Sequence, residues 1–251
     1  AGTVASIATL TPQLLYSCTK AFYAPSNMVL SVAGKITLEQ AVEACKRNGL
    51  YRARAAHDVQ WDIPIEEGPI PRKEARFTMP VNKPCFGVAY REPPLVPGDL
   101  KRELLLDMLG DLVVGGLTKL YRKLYDEALV NPEFSGDFIA VRGACAVAFT
   151  GESDTPRQVT DMLQEEIERL RTEGIDPELF LLVKNQMYGE LLGDVETVDD
   201  AAEEAAAACL KGRTLADEIA ALAELTVEDA NALMKTALRE ENRAYVQIDP
   251  Q

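Results

Sequence analysis

The chain has 251 residues, 47% of them apolar and 26% charged, as expected for a globular protein with one large core or two modest ones. Its net charge of −14 argues against nucleic acid, whose phosphates need clustered Lys and Arg, and would attract basic peptides at long range. No run approaches the length of a membrane span, there is no basic-then-apolar leader, and Cys18, Cys45, Cys85, Cys145 and Cys209 are dispersed in apolar surroundings like reduced core thiols; these features lead us to expect a cytoplasmic protein with no membrane partner.

Thr11 followed by Pro12 opens an amphipathic helix, because proline is tolerated in a first turn and threonine is a good cap. The stretch FYAPSNMVLSVAG (22–34) then turns a Pro-Ser-Asn corner into an apolar strand that ends at Gly34. The same order returns at the end of the chain. Thr226 lies 215 positions after Thr11, and at that offset Leu10 meets Leu225, Lys20 meets Lys235 and Asn27 meets Asn242. Asp229, three residues after Thr226, completes a capping box. Two copies of one domain type, each closing with a helix and a strand, would produce this echo. The first copy is then present only as its tail. Strand 28–33, parted from its parent sheet, should add to an available sheet edge, in its own chain or in a second copy.

Thr37 caps a further helix, which completes a tail over 1–50. Residues 51–75 carry Pro64, Pro69 and Pro71 among many charges without helical period, and read as an extended linker. A second domain occupies 76–251. Phe86, Val88 and Tyr90 alternate with Gly87 and Ala89, as in a strand with one buried face. Asp99 caps a helix carrying Leu100, Leu104, Met108, Leu112 and Val113; Gly115-Gly116 ends it, and a second helix starts near Thr118 with Leu120, Tyr121 and Leu124 inward. The stretches EFSGDFIAV and ACAVAFTGES flank a tight Arg-Gly turn as two strands, with Phe138, Val147 and Phe149 as core. Thr155-Pro156 and Asp176-Pro177 start two more helices, Gly174 stops the first, and an alanine-rich helix precedes the closing helix and strand. The expected fold is therefore α+β, a mostly antiparallel sheet covered by helices and preceded by the helix–strand tail of a homologous domain.

Chemistry is sparse. The one histidine, His57, lies in the linker, and no H-x-x-E-H, H-E-x-x-H or C-x-x-C motif is present, so this chain supplies no zinc site of its own. A Ser or Cys nucleophile has no histidine base beside it. GESDT (151–155) lacks the nucleophile-elbow pattern and GGLTKL lacks the Walker lysine–hydroxyl pair. The acids Glu165, Glu166, Asp199, Asp200, Glu203 and Glu204 read as solvated helix faces.

The segments GTVASIATLTPQLLYSCTKAFYAPSNMVLSVAG, KPCFGVAY and GGLTKLYRKLYDEALV resemble, in this order and spacing, the insulinase/pitrilysin group of zinc peptidases. The resemblance covers nearly the whole chain and implies an insulinase-type sandwich. It further implies two homologous domains closing as a clamshell on a peptide, with the inverted H-x-x-E-H zinc motif in the missing N-terminal half. This chain would be the non-metal C-terminal half. Its partners would be a peptide substrate and either the zinc-bearing half or a paired subunit, with a homodimer as a further expectation. The family's second domain offers a substrate-binding Arg and Tyr in a pattern like L-R-E-x-x-G-L-x-Y. The matching stretch here runs from Leu124 to Asn131, one residue shorter, with Tyr125 in place of Arg and Asn131 in place of Tyr. Asn131 retains an amide that can donate to a substrate carbonyl; Tyr125 cannot supply positive charge. These implications favour a substrate-chamber half that is inactive alone, or a non-catalytic assembly scaffold.

Overall fold

The computed structural model describes residues 2–49, 59, 62 and 68–251, so His57 and most of the predicted linker lie outside the described residues. In chain order the helices are α1 (Val4–Ala8), α2 (Pro12–Phe22), α3 (Leu38–Arg47), α4 (Leu100–Val114), α5 (Lys119–Asp126), α6 (Pro156–Glu173), α7 (Pro177–Gly193), α8 (Val198–Leu210), α9 (Leu215–Glu224) and α10 (Val227–Met234). The strands are β1 (Glu74–Met79), β2 (Cys85–Glu92), β3 (Ser135–Val141), β4 (Ala144–Glu152) and β5 (Arg243–Pro250). They are distributed over two compact units, one comprising 1–62 and 193–215, the other 63–192 and 216–251. Compared with the division at 50 and 76 read from the sequence, the alanine-rich α8 falls with the N-terminal unit. Among the described residues no helix is long and apolar enough to cross a membrane.

The larger unit is an α+β layer pair, as the sequence predicts. Its five-stranded sheet runs β1-β5-β2-β4-β3, and only the β1–β5 pair is parallel. Period-two alternation turns Phe86, Val88 and Tyr90 of β2 and Cys145, Val147 and Phe149 of β4 into a core shared with Leu106, Met108, Leu109 and Leu112 of α4 and Leu163 and Ile167 of α6. Helix starts follow the capping chemistry: Asp99 accepts the Arg102 N–H and Thr118 accepts the Tyr121 N–H. Gly110 and Gly136 let α4 and β3 touch backbone to backbone. A Cβ on Gly110 would sit 2.3 Å from the Gly136 carbonyl oxygen, and one on Gly136 would sit 2.6 Å from the Gly110 Cα.

Leu238, fully buried and left-handed with φ 53°, forms the corner between α10 and β5. Both of its backbone polar groups are taken by side chains: its N–H donates to Glu92 Oε1 at 2.8 Å, and its carbonyl accepts from Arg171 at 3.2 Å. Arg171 also donates to the Ala237 carbonyl at 3.0 Å, near the α10 C-terminus where a cation is favoured. The sequence reading misses β1, because its proline-rich approach looks like linker. The strand is held at the edge by side chains from elsewhere in the unit: Arg157 bonds Glu74 through both nitrogens (3.0 and 2.7 Å), and Arg76 bonds Asp249. Arg157 also lies 4.0 Å above the Tyr245 ring.

The N-terminal unit preserves the echo. Thr11 accepts the Leu14 N–H and Thr226 the Asp229 N–H, each at 3.2 Å. Short 3-10 turns at Pro25–Asn27 and Glu240–Asn242 stand at the same 215-residue offset. The copies part company after the turn. Residues 243–250 form β5, hydrogen-bonded between β1 and β2, whereas 28–33 join no ladder among the described residues. The expected addition of 28–33 to a sheet edge within the chain is thus not what the structure shows; β1 and β2 both pair with β5. Leu30, Val32, Ile36, Leu38 and Val42 instead line an open groove of about 500 Å³. Within this unit a Cβ on Gly34 (φ 134°) would meet Val198 of α8 at 3.7 Å. Ala24 and Ala208 are the only fully buried apolar residues of the unit among those described.

Candidate functional site

The stretch matched to the family's substrate-binding pattern spans the end of α5 and the loop into β3. Tyr125 stands in the last turn, half exposed, its ring stacked on Tyr121 one turn earlier with centroids 6.1 Å apart and planes 9° from parallel. The helix ends in a Schellman arrangement. The Leu129 N–H reaches back to the Leu124 carbonyl at 2.9 Å and the Ala128 N–H to the Tyr125 carbonyl at 3.0 Å, with Ala128 left-handed at φ 54°. Ala128 falls where the family pattern has glycine, the residue that meets this φ without strain.

Asn131 is engaged at both ends of its amide. Nδ2 donates to Glu152 Oε2 at 3.2 Å, and Oδ1 accepts the Glu133 N–H at 3.2 Å. Glu152 is half-buried at the end of β4, and its cross-strand neighbour in β2 is Cys85, whose Sγ lies 3.8 Å from Oε1 and 3.6 Å from the Lys83 carbonyl oxygen. Burial first, and the Glu152 charge second, push the Cys85 thiol above its ordinary range, so it stays protonated and is a poor nucleophile. Tyr125 and Asn131 make no hydrogen bond to each other; the structure joins Asn131, Glu152 and Cys85 instead. Sequence reasoning passes over Glu152, because only the strand register reveals that residues 85 and 152 are opposite one another.

The other candidates resolve into structural roles. Ser153 of GESDT is buried; its N–H donates to the Pro84 carbonyl and its hydroxyl accepts the Thr155 N–H, both at 3.0 Å, which shapes the turn into α6. Among the helix carboxylates, Glu166 is bonded by Arg169, and Asp200 closes the cap at Thr197. Asp111 has its carboxyl pushed up by burial, with Glu190 and Asp137 adding like charge, and no hydrogen bond links the three. Among the described residues no group of three or more His, Cys, Asp and Glu is placed to hold a metal ion. The donor set of the described residues therefore does not fit a peptidase zinc. The five cysteines are free thiols.

A mostly antiparallel sheet covered by helices is the frame in which these residues lie. The family model for the peptidase M16 inactive domain matches residues 9–187, and the chain belongs to that family. It is 26% identical, over its full length and 59% of the relative's, to the uncharacterized zinc protease YmfH of Bacillus subtilis (strain 168). It superimposes on an M16-like peptidase of Alicyclobacillus acidocaldarius with a TM-score of 0.89 at 26% identity, covering all of this chain and 61% of the other. The peptidase M16 inactive domain of Pseudomonas fluorescens shares the fold, with a TM-score of 0.77 at 15% identity over 100% of this chain and 60% of that one. The chain thus spans about three fifths of the length of each of these three proteins. The zinc-peptidase resemblance read from the sequence holds.

Proposed function

We propose that this chain is the non-metal half of an insulinase-like zinc peptidase or peptidase homologue, completing a substrate chamber and holding an extended peptide beside Tyr125 and Asn131. The zinc and the water it activates would come from the N-terminal half. One observation supports the need for such a half. At the 215-residue offset, Ile7, Leu10, Leu15, Phe22, Tyr23 and Leu30 are 43–65% exposed, while their equivalents Leu222, Leu225, Ala230, Ala237, Leu238 and Tyr245 are at most 4% exposed. These matched positions are covered near the end of the chain and uncovered near its start, and apolar side chains left open at so many of them support the presence of a partner. The partner is an N-terminal zinc-bearing half or a paired subunit; a homodimer is the competing occupant. Cytoplasmic placement, in keeping with five free thiols, belongs to the same proposal.

Mixing the chain with a separately produced N-terminal half, followed by light scattering, zinc analysis and a quenched-peptide assay, tests this. Expected are a one-to-one complex, zinc in the N-terminal half and in the complex but not in this chain alone, and no cleavage by the chain alone. Stoichiometric zinc in the isolated chain, or chelator-sensitive cleavage by it, would overturn the reading. The doubly engaged amide of Asn131 favours a second reading, an assembly scaffold without catalysis. A complex that forms but cleaves nothing would select it.

A further inference from the structure

We propose that Glu152 is the charge-selective element of the peptide site and takes the side chain of an Arg or Lys in an extended peptide. This rests on the peptide-binding reading above. Three features meet at Glu152. Its carboxylate is half-buried, yet among the described residues no cation is paired with it; its neighbours are the Asn131 amide at 3.2 Å and the Cys85 thiol at 3.8 Å. The cations closest to the pair in sequence are already occupied: Arg157, five residues after Glu152, pairs with Glu74 at 2.7 Å, and Lys83, two residues before Cys85, pairs with Asp154 at 3.5 Å. A partly desolvated carboxylate gains from a cation more than a solvated one does, and an amide and a thiol leave its charge uncompensated.

The second feature is position. Glu152 and Cys85 are cross-strand neighbours on the sheet face opposite the buried Phe86, Val88 and Tyr90. Along that face the ladder continues through Gly87 opposite Thr150 and Ala89 opposite Ala148, with Val246 of β5 beside Gly87. The third is charge. Against a net −14, an arginine-bearing peptide is drawn in at long range, and Glu152 fixes where its charge comes to rest. Asn131 then acts as a positioning residue, holding Oε2 so that the carboxylate keeps one orientation.

Two labelled alanine-serine peptides, identical except for arginine or its neutral isostere citrulline at the centre, distinguish the outcomes by fluorescence anisotropy on the full 251-residue chain. The arginine peptide should bind about tenfold more tightly at low salt, a difference that added salt reduces. Glu152→Gln, which preserves shape and the acceptor for Asn131, should abolish the discrimination by bringing the arginine peptide's affinity down to that of the citrulline peptide. Equal binding of both peptides by the wild type, or discrimination that survives Glu152→Gln, overturns the role of Glu152 and leaves peptide binding standing. Binding of neither peptide overturns the peptide-binding reading, and the role of Glu152 with it.

Discussion

Replacing Glu92 probes how the C-terminal corner of the larger unit is held. Glu92 is 5% exposed, and its carboxylate accepts the Leu238 N–H at 2.8 Å with Arg102 3.7 Å away. Glu92→Ala leaves that buried N–H without an acceptor and opens a void, a loss of about 2–3 kcal/mol, or a fall of about 5–10 °C in the unfolding midpoint for a unit of this size. Glu92→Gln retains a carbonyl acceptor and removes the buried charge, so its cost should be far smaller. The two also differ in pH dependence. Burial, the largest influence, raises the Glu92 carboxyl above its ordinary 4.5 despite the opposing Leu238 N–H and Arg102. The folded state therefore binds the Glu92 proton more tightly than the unfolded state, and this group's contribution to stability falls as pH rises from about 4.5 through the raised value. Glu92→Gln lacks that contribution, so its stability relative to wild type should improve over the same interval. Urea titrations of the three proteins at a series of pH values provide the measurement. An alanine variant within about 0.5 kcal/mol of wild type, or a Gln-to-wild-type difference flat in pH, would refute this account of the corner.

Gly110→Ala should destabilise by about 3 kcal/mol or displace β3, because the new methyl meets backbone at 2.3 Å and a carbonyl cannot rotate away; thermal unfolding reads the loss and crystallography the displacement. Ala128→Gly should stabilise by about 0.5–1 kcal/mol through relief of the left-handed strain at φ 54°, visible as a rise of a few degrees in midpoint. The edge strand β1 should loosen in acid. Hydrogen bonding from Arg157 holds Glu74 below its ordinary 4.5, and hydrogen bonding from Arg76 holds Asp249 below its ordinary 3.8. The stabilisation from these pairs is present above those ordinary values and is lost as pH falls through the depressed ones. Amide exchange at 74–79, corrected for its intrinsic pH dependence, should accelerate in that window ahead of the central strand β2.

Much of this protein was legible as a linear pattern because the signals are local. Thr11, Thr37, Thr118 and Thr226 sit within three residues of the N–H groups they cap, Gly174 ends α6 at φ 88°, and the alternation of Phe86, Val88 and Tyr90 marks a strand with one buried face. The 215-residue echo needed only the same caps and corners twice. Tertiary structure decided what depends on partners remote in sequence. It was the long-range pairing with β5, and the ion pairs from Arg157 and Asp249, that made Glu74–Met79 a strand although its approach reads as linker. The reverse holds for 28–33, whose strand-like composition leads to no ladder because a strand is completed by its neighbours' hydrogen bonds and among the described residues none are supplied. The placement of Glu152 against Asn131 and Cys85 follows from the β2–β4 register, a pairing across 67 residues that no local spacing encodes.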